Sequence, residues 1–122
     1  TPSDNETTVA ELKRNMAAFV AERDWSQFHT PKNIAMALAV EAAELMEHFQ
    51  WISCEASRSI AHDREELAAV AEELADIFAY CLALTSELDI DLAAALAKKM
   101  IKNEQKYPAD DFRGRYGPKD PR

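Results

Sequence analysis

The sequence predicts an all-α domain of the four-helix-bundle type. Apolar residues recur at spacings of three and four through most of the 122 residues, which is the period of an amphipathic helix. No segment shows the alternation of apolar and polar residues that a half-buried strand requires. Helix-capping residues precede three of the four periodic segments. A chain of this length forms one small domain that buries roughly 65% of its unfolded surface.

The first two helices each begin at a recognisable cap. The first is predicted to open with the capping box Thr8–Glu11, in which side chains and backbone amides satisfy each other, and to fade near Asp24. After a short connection, Thr30 is predicted to cap the second helix, with Pro31 at its first position. This helix is expected to run to about Ile52. Its inward-facing residues are Ile34, Leu38, Leu45, Phe49 and Ile52.

The third helix has the most regular apolar pattern of the chain. A loop is predicted over Cys54–His62, and Asp63 and Glu66 have the spacing of another N-terminal cap. The apolar positions that follow keep a spacing of three or four residues almost without a break. They are Leu67, Val70, Leu74, Ile77, Cys81, Leu84 and Leu88.

The fourth helix is predicted to end at Pro108, since proline cannot continue a helix interior. We therefore expect one domain over residues 1–108. Residues 109–122 are polar and contain Pro and Gly, which predicts a flexible C-terminal tail.

Charge and composition exclude several classes of partner. The net charge of −8 argues against a nucleic-acid or anionic-membrane surface, both of which call for a basic face. There is no run of about 18 uncharged apolar residues, so no transmembrane span is predicted. The first residues are polar, unlike a signal peptide. Cys54 and Cys81 are too few for a disulfide framework and are expected to be free thiols in a reducing cytoplasm.

Two acidic pairs are the main functional signal. Glu41-x-x-Glu44 and Glu73-x-x-Asp76 each place two carboxylates on one face of a helix. Both pairs lie in strongly apolar stretches, where an uncompensated acidic residue is costly. Because converging carboxylates repel one another, a hard divalent cation such as Mg²⁺ is their best common partner. The pairs predict a metal-dependent reaction on a phosphate-bearing substrate.

Acidic pairs at this spacing are also common on solvent-exposed helix faces, and that alternative stays open for each pair taken alone. It is weakened for Glu41, which lies on the apolar stripe between Leu38 and Leu45. The remaining acidic residues of the third helix are interpreted as ordinary solvated side chains. They are Glu65, Glu66, Glu72 and Glu87.

The sequence excludes two other ways of binding phosphate or metal. Both glycines, Gly114 and Gly117, lie near the C-terminus, so no glycine-rich phosphate loop precedes them. No Glu has His three positions later, as a di-iron carboxylate site requires. His48 follows Glu44 by four and is expected to be satisfied by a neighbouring side chain. Candidates for phosphate contact, or simply for a solvated helix end, are Lys99, Asn103, Lys106 and Tyr107.

Several aromatic residues are placed to contact a base. Trp25 and Trp51 stand at helix ends beside polar residues, where a ring can stack on a nucleobase. Phe28 and Tyr80 complete the set, although an aromatic residue more often fills the core than contacts a ligand.

Taken together, these residues resemble the MazG-like all-α nucleoside triphosphate pyrophosphohydrolases, especially the short single-domain branch that contains the dCTP pyrophosphatases. The resemblance spans about residues 19–108, and its specificity lies in the order of the motifs. They are Phe19-Val-Ala-Glu-Arg-Asp-Trp25, Gln27-Phe-His-Thr-Pro-Lys-Asn33, Glu41-Ala-Ala-Glu-Leu-Met-Glu-His-Phe-Gln-Trp51, Glu72-Glu-Leu-Ala-Asp-Ile-Phe-Ala-Tyr80, Lys99-Met-Ile-Lys-Asn103 and Tyr107-Pro108.

This resemblance implies cleavage of a nucleoside triphosphate, favouring dCTP or modified dCTP, to the monophosphate and pyrophosphate in nucleotide pool sanitation. It implies catalytic Mg²⁺, with Mn²⁺ as a substitute, and a homo-oligomer, usually a tetramer built as a dimer of dimers. The implied metal ligands are Glu41, Glu44, Glu73 and Asp76. The implied substrate-binding residues are Trp25, His29, Trp51, Tyr80, Lys99, Asn103 and Tyr107.

Two alternatives stay open. The chain could be a non-enzymatic helical interaction module whose carboxylates hold a structural cation. It could also hydrolyse another diphosphate-containing metabolite, such as the phosphoribosyl-ATP that related all-α enzymes handle. The residues do not decide the base preference, the number of metal ions or which carboxylate is the general base.

Overall fold

The structure, a computed structural model, describes residues 1–115 and confirms the all-α class. Within those residues there are six α-helices, two short 3-10 turns and no strand. The helices are α1 (Val9–Glu22), α2 (Pro31–Glu47), α3 (Cys54–Ser59), α4 (Arg64–Glu87), α5 (Leu92–Lys106) and α6 (Ala109–Phe112). The chain divides into two compact units, Thr1–Ile90 and Asp91–Arg122. No helix in the described part of the chain has both the length and the apolar character to cross a membrane.

Side-chain caps begin α1 to α5, as the sequence predicted for three of them. At α1, Thr8 Oγ1 accepts from the Glu11 amide at 3.1 Å, and Glu11 Oε2 accepts from the Thr8 amide at 2.9 Å. This reciprocal arrangement satisfies two backbone donors that the helix itself cannot. A single bond to the amide three residues later caps the other long helices. The capping residues are Thr30 for α2, Asp63 for α4 and Asp91 for α5.

The second helix is shorter than its apolar pattern predicted. It ends at Glu47, and the amides of His48 and Phe49 then bond to carbonyls only three residues back. Ser53 caps the short helix α3, which with a 3-10 turn over Ile60–His62 occupies the segment predicted as a loop. The predicted end of the second helix near Ile52 was wrong because Phe49 and Ile52 continue the apolar spacing of the helix although the backbone has already turned.

In the first unit, α4 is the central element, and both α1 and α2 pack against it. Ile34 of α2 is the most deeply buried side chain of the described core, at 2% exposure. Burying an aliphatic side chain of this size contributes about 1.5–3 kcal/mol. The other buried residues are Val20 from α1 and Val70, Leu82, Ala83 and Thr85 from α4.

Helix α1 ends in a Schellman motif whose left-handed residue is Asp24. The Trp25 amide donates to the Val20 carbonyl at 3.0 Å, and the Asp24 amide donates to the Ala21 carbonyl at 3.1 Å. Asp24 has φ of 53°, a region that usually holds glycine. The turn directs Trp25 back against Phe19, where the two rings meet edge to face at 5.8 Å. One cap therefore fixes the position of a predicted substrate residue.

The second unit contains α5 and α6. Tyr107 follows α5, and its ring packs edge to face on Phe112 of α6 at 5.1 Å. The helix α6 occupies the start of the segment predicted as a flexible tail, and residues 116–122 of that segment lie outside the described residues. The predicted domain boundary after residue 108 stays a prediction.

Replacing Asp24 by glycine should stabilise the protein. The left-handed conformation brings the Asp24 Cβ close to a carbonyl oxygen, and glycine has no Cβ. After the entropy that glycine loses on folding, we expect Asp24→Gly to raise the free energy of unfolding by about 0.5–1 kcal/mol. Urea unfolding at fixed protein concentration measures this.

Asp24→Ala is the matched control, because it removes the carboxylate and keeps the Cβ. It should be no more stable than the parent. A glycine variant less stable than the parent would show that the aspartate side chain, rather than backbone freedom, stabilises the turn.

Candidate functional site

The two acidic pairs predicted from the sequence come together between α2 and α4. His48 at the end of α2 meets Glu66 in the first turn of α4, so the two helices run in opposite directions. One carboxylate oxygen from each of Glu41, Glu73 and Asp76 lies within 4.8 Å of the others. Oxygens at this separation can all reach one hard cation, whose bonds to oxygen are about 2.0–2.6 Å long.

Glu44 joins the same cluster through its contact with Glu41. It lies one helical turn beyond Glu41, is exposed, and shares a side-chain hydrogen bond with Glu41. Three carboxylates thus converge directly, and the fourth is attached to one of them. All four predicted ligands are within one continuous acidic cluster, and their part in binding a metal stays a prediction.

The cluster is electrostatically frustrated. Burial raises the pKa of Glu41 to about 7, and the hydrogen bond with Glu44 adds to this. The negative charges of Glu44, Asp76 and Glu73 raise this pKa further. Oε2 of Glu41 and Oε2 of Glu73 are both buried without a hydrogen-bond partner. Buried unpaired oxygens on mutually repelling groups fit a divalent cation, which compensates both defects at once.

His48 contacts this cluster from its edge. Its Nδ1 lies 3.3 Å from Oε2 of Glu66, and its Nε2 lies 3.9 Å from Oε1 of Glu73. The expected neighbour of His48 is therefore Glu66. Glu66, which the sequence indicates is an ordinary solvated acid, is exposed and also pairs with this imidazole.

An aromatic cleft of about 280 Å³ lies next to the carboxylates. Ala37 is one turn before Glu41 on α2, and Tyr80 is one turn after Asp76 on α4, so the same two helices form both features. The cleft contains three of the predicted substrate residues. Its lining consists of Trp25, Phe28, His29, Asn33, Ile34, Ala37 and Tyr80.

Of the other predicted substrate residues, one lies outside the cleft in the first unit and three belong to the second unit. Trp51 is in the turn after α2, is 86% exposed and does not line the cleft. In the second unit, Asn103 donates to Met100 Sδ at 3.9 Å, and Tyr107 packs on Phe112. Lys99 lies on α5 of that unit. The roles of these four residues stay predictions.

Two features of the site were missed. Asn33 and Ala37 line the cleft, and their spacing of four residues, continued by Glu41, could have revealed a row that leads to the carboxylates. Asn33 Nδ2 also donates to the Phe28 carbonyl at 3.0 Å, which joins α2 to the preceding turn. The pairing of His48 with Glu66 joins two helices across 18 residues, and no local spacing signals it.

Comparison with protein families gives one match that covers most of the chain. The model of the MazG-like family matches residues 36–116, which include both acidic pairs and Tyr80.

Curated proteins and a solved structure are also similar. dCTP pyrophosphatase 1 of Rattus norvegicus is 43% identical over 109 residues, which are 89% of this chain and 64% of that protein. The Homo sapiens dCTP pyrophosphatase 1 is 41% identical over 85% of this chain and 61% of its own length. The chain thus spans less than two thirds of these relatives. A pyrophosphatase crystal structure from Archaeoglobus fulgidus aligns with a TM-score of 0.74 and 35% identity, covering 88% of this chain and 99% of that one.

The raised pKa of Glu41 predicts how stability depends on pH without metal. In the unfolded chain this carboxyl ionises near 4.5, and in the folded protein it ionises near 7. Because the folded protein holds this proton more tightly than the unfolded chain, the stability that goes with protonated Glu41 is fully present below pH 4.5 and is lost as the pH rises to about 7. Glu41→Gln has no group to ionise, so its stability relative to the parent should increase over that interval.

The measurement is unfolding by urea in EDTA from pH 4.5 to 8. Glu72→Gln is the control, since Glu72 is an exposed carboxylate on α4 that lies outside the cluster. Its stability should run parallel to that of the parent. Parallel curves for Glu41→Gln as well would refute the proton uptake assigned to this site.

Proposed function

The chain belongs to the MazG-like family, and we propose that it is a metal-dependent nucleoside triphosphate pyrophosphohydrolase. Its reaction would cleave the bond between the α- and β-phosphates and yield a monophosphate and pyrophosphate. The observation that carries this proposal is the convergence of three half-buried or exposed carboxylates beside an aromatic cleft on the same two helices. The names of the similar proteins, dCTP pyrophosphatase 1 and pyrophosphatase, support it.

Mg²⁺ is the proposed cation, with Mn²⁺ as a substitute, because all the ligands are carboxylate oxygens. Glu41, Glu73 and Asp76 would hold it, and Glu44 would complete the set. When bound, such a cation supplies positive charge against the triphosphate and acidifies water. The unpartnered oxygens of Glu41 and Glu73 are the groups that would gain most from it.

Glu44 is the proposed general base. It is the exposed member of the cluster, so one of its oxygens can face a water molecule while the other contacts Glu41. The water oxygen would attack the α-phosphorus as Glu44 takes its proton. The bond from this phosphorus to the bridging oxygen then breaks, and the electron pair leaves with pyrophosphate.

The cleft is the proposed site of the base and sugar. Trp25, Phe28 and Tyr80 offer ring surfaces for stacking, and His29 offers a polar edge. Asn33 uses its amide nitrogen on the Phe28 carbonyl, which leaves its amide oxygen as an acceptor. An acceptor suits the exocyclic amine of cytosine, so we propose dCTP or a modified dCTP as the preferred substrate.

The proposed biological role is removal of unwanted nucleotides from the cytoplasmic pool. Cys54 and Cys81 are free thiols, which is typical of a reducing compartment.

The proposal predicts a specific set of products. Incubation with each dNTP and NTP, with and without Mg²⁺, should give Mg²⁺-dependent monophosphate and pyrophosphate, most rapidly from dCTP or its analogues. Chromatography identifies the products. Diphosphate with orthophosphate would show that a different bond is cleaved. Absence of turnover on every nucleotide would favour another diphosphate metabolite or a non-enzymatic interaction module.

Two adjacent glutamates make a matched test of the carboxylate cluster. Glu73→Gln should lower kcat about 100- to 1,000-fold, as loss of one preorganised electrostatic group does. Glu72→Gln should leave kcat unchanged, because Glu72 is exposed and outside the cluster. Both variants should keep the helical circular dichroism spectrum. Equal losses in the two variants would exclude a specific role for the cluster.

We further propose that the chain forms a homo-oligomer, a tetramer built as a dimer of dimers. Met36 and Val40, one turn apart on α2, are 59% and 57% exposed. Leu74 and Phe78, one turn apart on α4, are 51% and 43% exposed. Apolar rows of this kind on the helices that carry the site are typical of a surface that another protein subunit covers.

Light scattering coupled to gel filtration tests the assembly. The parent should have about four times the 13.7 kDa mass of the chain. The double variant Val40→Lys, Phe78→Lys should shift to a smaller species, because association would bury two unpaired charges. Met46→Lys is the control on another face of α2 and should leave the mass unchanged. A monomeric parent would overturn this part of the proposal.

A further inference from the structure

The imidazole of His48 lies between two carboxylates of α4. Nδ1 is 3.3 Å from Oε2 of Glu66, and Nε2 is 3.9 Å from Oε1 of Glu73. The His48 side chain is 22% exposed and that of Glu73 is 21% exposed, whereas Glu66 is 49% exposed. The ring therefore connects a partly solvated acid at the edge with a half-buried acid inside the cluster.

The backbone explains why His48 can make both contacts. Glu66 and Glu73 are seven residues apart, which places them two turns apart on one face of α4. His48 is the residue at which α2 ends and the chain turns, so its side chain meets that face from the opposite helix. Contact with Glu66 fixes the plane of the ring, and the ring then borders one oxygen of Glu73.

Glu73 needs such a neighbour. It has three rotatable side-chain bonds, and it must turn a carboxylate oxygen towards Glu41 and Asp76, both of which repel it. Its Oε2 is buried without a hydrogen-bond partner, so nothing at that atom holds the carboxylate in place. The contact with His48 is on the other oxygen, Oε1. An imidazole at Oε1 restricts the rotation that would move Glu73 out of the cluster.

We propose that His48, anchored by Glu66, is a positioning residue that holds Glu73 in the orientation needed to bind a divalent cation. This inference rests on the proposed metal-dependent function. Partners that orient a ligating carboxylate typically change metal affinity or activity 10- to 100-fold when they are removed. Neither His48 nor Glu66 touches the cleft or the convergent carboxylate oxygens of Glu41 and Asp76.

The opposing explanation is that His48 simply fills the space where α2 ends. Leucine and glutamine separate the two roles. His48→Leu puts an apolar side chain of similar size in place of the imidazole and so removes the polar contacts with both acids. His48→Gln introduces an amide that can donate to a carboxylate, so it should still hold Glu73 in position although it lacks the shape of the ring.

The test measures Mn²⁺ binding to the full chain after removal of metal with EDTA, using isothermal titration calorimetry. His48→Leu should weaken Mn²⁺ binding 10- to 100-fold, and His48→Gln should recover most of that loss. Glu66→Gln should produce a smaller loss, because the amide still contacts the ring. His62→Leu is the matched control, since His62 is an exposed histidine in the 3-10 turn before α4. It should bind Mn²⁺ as the parent does.

Melting temperatures without metal complete the design. The proposal is overturned if His48→Leu binds Mn²⁺ like the parent, or if the leucine and glutamine variants lose equal affinity together with equal melting temperature. It is also overturned if the parent binds no Mn²⁺. Because binding is measured without substrate, a His48-sensitive Mn²⁺ site in a chain that cleaves no nucleotide would sustain this inference and overturn the proposed function alone.

Discussion

The mutual repulsion of the carboxylates between α2 and α4 is the constraint on which the rest of this site depends. The two helices pack against each other, yet Glu41 and Glu73 put an unpartnered oxygen into that contact. A chain selected only for stability would place apolar residues there. Burial, the hydrogen bond with Glu44 and this repulsion together raise the pKa of Glu41 to about 7, so the carboxyl carries a proton over much of the acidic range. A cation that bound here would have to displace that proton, so its affinity would depend on pH.

The cleft follows from the same helix pair. α2 places Asn33 and Ala37 in the cleft before it reaches Glu41, and α4 reaches Tyr80 directly after Asp76. A nucleotide whose base lies in the cleft would therefore extend its phosphates along both helices towards the carboxylates. The turn after α1 supplies the remaining wall, because the left-handed Asp24 directs Trp25 back towards the helices. The carboxylates thus lie on helices, and only the aromatic wall depends on a turn.

Local signals made much of this predictable. Thr8, Thr30 and Asp63 cap helices where the sequence predicted, since capping depends on residues only three positions apart. The anomaly of Glu41 on an apolar stripe predicted the acidic cluster correctly as a spatial feature. Contacts distant in sequence were not predictable: the pairing of His48 with Glu66 spans a turn and a short helix that the apolar pattern concealed. Trp51 was predicted from its place at a helix end and from the resemblance, and this highly exposed residue lies outside the cleft.

The core of the first unit is unevenly distributed along α4, and this explains where additional support is needed. Leu82, Ala83 and Thr85 are buried near its C-terminal end, whereas in its first half Val70 is buried and both Leu67 and Leu74 are about half exposed. Glu73 and Asp76 lie between Val70 and Leu82, so fewer buried side chains anchor the helix on their N-terminal side than on their C-terminal side. The pairing of His48 with Glu66 ties the weaker side to α2. A second subunit covering the exposed apolar rows would stiffen the same side by burying surface, at about 25 cal/mol per Å². Both interactions would restrict the movement by which repelling carboxylates could otherwise separate, and so keep the ligands close enough together for one cation.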